Sequence, residues 1–159
     1  MASSRSPLRF LAIGIGLLAG ATAALADPST SRNPAAEEAN RQLVQTFYDR
    51  FFNQHDIAAA ATVVADGYKQ HNPHVPNGKE PFVSYFTGAF RDNPQSRARI
   101  VRSAADGDLV YLHAHSTEHP GDRGQAVIDI FRVKDGKIVE HWDVIQPVPE
   151  TSANANTMF

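Results

Sequence analysis

The chain contains no cysteine. It can form no disulfide, and it has no lipobox thiol through which a lipid anchor could be attached. Positive charge is also in short supply. Lys and Arg number 15 against 17 Asp and Glu, the formal net charge is −2, and no basic stripe interrupts the sequence. A partner held through its phosphates, nucleic acid above all, is therefore not expected. Long apolar runs are scarce as well. The stretch Phe10 to Leu18 is continuously apolar, but it is too short and too rich in glycine and alanine to make a good membrane span. No internal repeat or low-complexity block is visible.

That apolar stretch has a different meaning in its setting. Arg5 and Arg9 precede it, and Ala24-Leu25-Ala26 follows it. A basic n-region, an apolar core and a small-residue cleavage site together describe an export signal. Residues 1–26 are expected to be removed and the remainder to work in the periplasm or outside the cell, with no membrane contact after cleavage. Residues 27–34 are rich in turn formers and are expected to be a flexible leader. A single domain over residues 35–149 and a polar tail over residues 150–159 complete the expected organisation.

Within the domain, Leu43, Val44, Phe47, Tyr48, Phe51 and Phe52 recur at helical spacing, the pattern of a helix with one apolar stripe. Asp56 is placed to cap a second, short helix over Ile57 to Ala65. Tyr68 to Asn72 should be extended and end at Pro73. Asn77 with Glu80 resembles a capping box for a third helix carrying Phe82, Val83, Phe86 and Phe90. Four strand-like runs follow: Arg97 to Ser103, Leu109 to Thr117, Gln125 to Val133 and Lys137 to Gln146. Helices followed by a meander predict an α+β domain, with an antiparallel sheet curled around a helical cover and open at one end. Such a cone is a natural place for a small-molecule pocket.

The last two runs flank Lys134-Asp135-Gly136, a strong hairpin signal. In the first of them Val127, Asp129, Phe131 and Val133 share one parity and hence one face. Asp129 thus interrupts an apolar row. A buried carboxylate is expensive without a partner, so Asp129 calls for one, or for a pocket. In the second run Ile138, Glu140, Trp142 and Val144 share one parity, with His141 and Asp143 on the other. If the preceding strand faces the same way, Tyr111, His113 and His115 approach Asp129. The opposite face would then carry Val110, Leu112, Ile128, Ile130, Val139 and Ile145, too much apolar surface to leave in water. A homodimer packed sheet on sheet is expected to cover it.

Tyr68–Pro73 (YKQHNP), Gly78-Lys79-Glu80, and DIFR at 129–132 followed by GKIVEHWD at 136–143 resemble the nuclear transport factor 2-like superfamily. Within it they are similar to the SnoaL-like polyketide cyclases, in the branch described as catalysing aldol condensation. The resemblance implies a cone-shaped α+β fold with no cofactor and no metal. It also implies an aspartate acting as acid and base next to a carbonyl, assisted by a histidine on the neighbouring strand. Those positions match Asp129 and His115. Cofactor-independent aldol-type cyclisation or isomerisation of a carbonyl compound needs such a base, since a carboxylate in a dry pocket removes protons more readily than one in water. His113, His71, Asn72, Trp142, Phe131 and Tyr111 are the expected substrate-binding side chains around this pair. His113 and His115 with Asp129 would also be two histidines and a carboxylate of the kind that chelates metals. The alternatives to an enzyme are a binding module for a small apolar ligand, without turnover, and a dimeric interaction domain.

Overall fold

The structure is a computed structural model and describes residues 32–159; the expected export signal lies outside the described residues. Helix α1 spans Pro34–Tyr48. It starts where it does because Asn33 accepts the Ala36 backbone N–H at 3.1 Å, and because Pro34 sits in the first turn, where its missing N–H costs nothing. One wider π-helical turn, Asp49–Asn53, continues it. Asp56 caps α2, Ile57–Ala60, through the Ala59 N–H. Helix α2 is shorter than its alanine run suggests: a 3₁₀ turn takes over at Ala61–Val63 and Val64 is already extended. Helix α3 is Lys79–Asp92. Its cap position belongs to Gly78, whose φ of 93° favours glycine. Asn77, expected to be the cap, instead accepts the backbone N–H of Gln70 at 2.8 Å.

The strands are β1 (Val64–Gln70), β2 (Arg97–Asp106), β3 (Leu109–Thr117), β4 (Gln125–Lys134) and β5 (Lys137–Pro147). They form one curved sheet in the order β1-β5-β4-β3-β2, not closed into a barrel. Four strands make the antiparallel meander read from the sequence. The fifth, β1, pairs parallel with β5 at the edge. The β4–β5 turn is built by Asp135 and Gly136, both at positive φ (51° and 71°), so Lys134 faces Lys137. Among the described residues no helix is long and apolar enough to cross a membrane.

One irregularity decides which side chains face inward. Val133 pairs with Ile138, but Arg132 pairs with Glu140. Val139 is therefore an extra residue on β5, a β-bulge. Beyond it the alternation restarts with the opposite parity. Ile138 and His141 both point to the helices, although three residues apart; both are buried.

The core lies between the inner sheet face and the helices. Val44, Phe47, Tyr48 and Phe51 from the first helix and its π turn meet Val110, Leu112 and Ala114 of β3 and Val127, Phe131 and Val133 of β4. Val110 and Leu112 are thus core residues and not part of an outer apolar face, as the sequence alone suggested. The outer face carries Ile128 and Val144, 42% and 69% exposed. The tail does reach this side of the domain, for Phe159 stacks on His115 with ring centres 4.2 Å apart.

Candidate functional site

Asp129 lies on the inner face of β4, opposite Leu112 of β3 and Asp143 of β5. It is 5% exposed. Tyr48, in the last position of α1 before the π turn, donates its hydroxyl to Oδ2 at 2.9 Å. His141 places Nε2 3.0 Å from Oδ1. Burial first, and then the charge of Asp129, push the Tyr48 hydroxyl well above its ordinary range. It keeps its proton and remains the donor. Tyr68 on β1 is shifted upward in the same way, again mostly by burial.

The proton on His141 can be located from its second nitrogen. Nδ1 lies 2.9 Å from Gln70 Oε1. That same oxygen accepts the backbone N–H of Asn72 at 3.0 Å. A backbone amide can only donate, so the Gln70 carboxamide is oriented with its oxygen towards Asn72 and His141. His141 Nδ1 must then be protonated. Its Nε2 can donate to Asp129 only if the imidazole carries a second proton; otherwise the carboxyl must carry one. As a hydrogen bond, the Nε2–Oδ1 contact therefore needs one proton beyond that on Nδ1.

Asp143 adds a second carboxylate. It is the cross-strand neighbour of Asp129 on the same face, and its Oδ2 accepts from Asn72 Nδ2 at 2.7 Å. Among the described residues, no Lys or Arg bonds to either aspartate. Asp129, His141 and Asp143 each offer one ligand atom, and the three lie within 4.8 Å of one another.

These groups form the polar end of a cavity of about 380 Å³. Phe52, Tyr68, Phe82, Tyr85, Phe86 and Phe90 give it an aromatic wall, and Asn93, Ser96, Arg97 and Glu118 also line it. So do Phe131, Asn72 and Ile145. Volume and lining suit a small, largely apolar molecule with one or two polar groups.

Of the residues singled out from the sequence, Asp129, Phe131 and Asn72 line this cavity. Five others do not. Tyr111 pairs with Ile130, His113 with Ile128 and His115 with Ala126, all on the outer face. His115 cannot assist Asp129; it bonds through Nε2 to the Arg123 carbonyl oxygen at 2.8 Å. His113 accepts from Arg102 at 2.7 Å. The reason is the β3–β4 register, which sets Leu112, not a histidine, across from Asp129. Ile145, assigned to the outer face, lines the cavity because of the Val139 bulge. The bulge also leaves Trp142 outside, where His71 stacks on it with ring centres 4.7 Å apart. His71 bonds Glu140 at 2.9 Å and, with Arg132, holds that carboxyl below its ordinary range. Conversely, His141 and Asp143 were placed on the far side and are central. Gln70 and Tyr48 were also passed over. A parity signal for the first existed: Tyr68, Gln70 and Asn72 alternate with Lys69 and His71.

The family described as SnoaL-like domain matches residues 44–141. No curated protein matches the chain. Several solved structures are similar in fold. A candidate ketosteroid isomerase from Kribbella flavida shares 18% identity at a TM-score of 0.61, over 74% of this chain and 85% of that one. A candidate polyketide cyclase from Bacillus cereus shares 26% at 0.56, over 75% and 80%. An epoxide hydrolase of the LEH-like type from M. tuberculosis shares 19% at 0.58, over 70% and 85%.

Proposed function

We propose, from the premise that this chain belongs to the SnoaL-like domain family, that its cavity takes a small apolar carbonyl compound and moves a proton on the carbon beside the carbonyl. The observation that carries this reading is the Tyr48–Asp129–His141 set, a buried polar group in a cavity walled in large part by aromatic rings. Aromatic walls exclude water from the bound molecule, and in such surroundings a carboxylate is a better base. Asp129 takes the proton. His141 holds the carboxylate in place and exchanges a proton with it through the Nε2–Oδ1 contact. Tyr48 keeps Oδ2 fixed. The assisting histidine is thus His141 from β5, in place of the expected His115. Solved structures of similar fold are named as a candidate isomerase, a candidate cyclase and an epoxide hydrolase, and one fold commonly hosts several chemistries.

A direct test is exchange of the α-protons of small cyclic ketones in D₂O, followed by proton NMR. The intact protein is expected to accelerate exchange, and Asp129→Asn to remove about 10²–10⁴-fold of that acceleration, the usual share of a positioned base. Full exchange in Asp129→Asn would rule out the base. A second reading is a binding module without turnover, favoured by both Asp129 oxygens being already engaged. Saturable ketone binding with no acceleration over buffer would establish it.

The exposed Ile128 and Val144 on the outer face support a second copy of the chain packing there. Light scattering at micromolar concentration is expected to give twice the chain mass. A monomeric mass would end that proposal.

A further inference from the structure

We infer that Asp129, His141 and Asp143 form a binding site for one divalent transition-metal cation at the floor of the cavity. The inference rests on the same floor being the reactive end of the pocket, but its evidence is separate. Each of the three side chains has its remote polar atom held by a different neutral partner. Tyr48 holds Asp129 Oδ2, Gln70 holds His141 Nδ1, and Asn72 holds Asp143 Oδ2. Each offers one ligand atom, and the three atoms lie within 4.8 Å of one another. Outer partners that fix the far atom and leave the near one free are the recurrent second layer of metal sites.

Two further observations point to a cation. First, Nδ1 of His141 carries its proton, as the Asn72 backbone N–H requires. The buried Nε2, on a residue 7% exposed, therefore directs a lone pair at a carboxylate oxygen unless a positive ion lies between them. Second, two carboxylates oppose each other across adjacent strands, and among the described residues neither meets a Lys or Arg. Like charges so placed repel. A shared proton leaves one net negative charge on the three groups, whereas a dication offsets both carboxylates. The 3.0 Å between Nε2 and Oδ1 is what two ligands each about 2.1 Å from one metal show at roughly a right angle. One nitrogen and two oxygens suit Zn²⁺ or Mn²⁺, and the cavity leaves further positions open for water or a carbonyl oxygen, which a bound cation polarises.

The full chain, treated with EDTA and dialysed, is titrated calorimetrically with ZnCl₂, and separately with MnCl₂ followed by electron paramagnetic resonance. One ion per chain is expected. Asp143→Asn should weaken binding at least about 100-fold, and Asn72→Ala about 10–100-fold, the effect of losing an outer partner. The double variant His113→Ala/His115→Ala, on the outer face, should bind as the parent does. Asp143 is only half-buried, so its variant is expected to fold, and a thermal melt checks this. No binding of either ion overturns the inference. So does binding that survives Asp143→Asn or disappears with His113 and His115. The ketone experiment is repeated in EDTA on the same preparation. Ketone binding without metal binding removes the cation and leaves the pocket reading; metal binding without any ketone binding does the reverse.

Discussion

Replacing His141 with alanine is expected to lower the unfolding free energy by about 3–5 kcal/mol, the scale for stranding one member of a buried ionic pair. The loss would appear as an earlier urea midpoint. Asp129 would keep Tyr48 but face an empty imidazole site in a region where water is scarce. Asp129→Asn should behave very differently. Its carboxamide oxygen can accept from the Tyr48 hydroxyl. Its Nδ2–H can donate to His141 Nε2, a pure acceptor once the proton sits on Nδ1. Every polar atom then has a partner, and no charge remains buried, so stability should be unchanged or slightly higher. Equal midpoints for the two variants would show that the hydrogen-bond polarity assigned through Gln70 and Asn72 is wrong.

Phe51→Ala is expected to cost about 3–5 kcal/mol as well, for a different reason. Phe51 is fully buried. Its ring stacks on Phe82 at 4.8 Å and meets Phe86 and Phe90 edge-on at 5.2 and 5.7 Å. Truncation removes one of the two rings, with Phe52, that tie the π turn after the first helix to α3. A domain of this size has only about 5–15 kcal/mol in all, so a large fall in melting temperature follows. Because Phe82, Phe86 and Phe90 also wall the cavity, ligand affinity should fall with it. A parent-like melting curve would mean that this cluster is not the core.

Periodicity made most of the fold legible. The stripe from Val44 to Phe52 and the alternation around Asp129 each require only local geometry, and local geometry is what a sequence displays. The partner of Asp129 was harder. Strand β3 offers two parities, and Val110, Leu112 and Ala114 form the more apolar one; the core takes that row and turns His113 and His115 out. Polar groups on a strand attract chemical attention, yet the hydrophobic row sets the facing. His141 was concealed by something local patterns do not show. Strict alternation from Ile138 puts it outside, and only the unpaired Val139 brings it in. Gln70 was legible as part of an extended segment, but its role depends on the parallel pairing of β1 with β5, a contact far apart along the chain.

The Val139 bulge makes spacing, as much as identity, a determinant of the site. Strand β5 behaves there like a message with a reading frame. Pairing this strand in strict alternation, with Val139 taken into the ladder, would leave every functional side chain in the sequence. It would nevertheless exchange the strand's two faces beyond Ile138, sending Glu140 and Trp142 towards the helices and His141 and Asp143 away from them. Point substitutions adjust such a pocket by degrees, whereas a slip of one residue in the pairing inverts it. Within this family, then, two chains carrying the same EHWD letters present the same side chains to the pocket only if the pairing between the turn and those letters puts them on the same face.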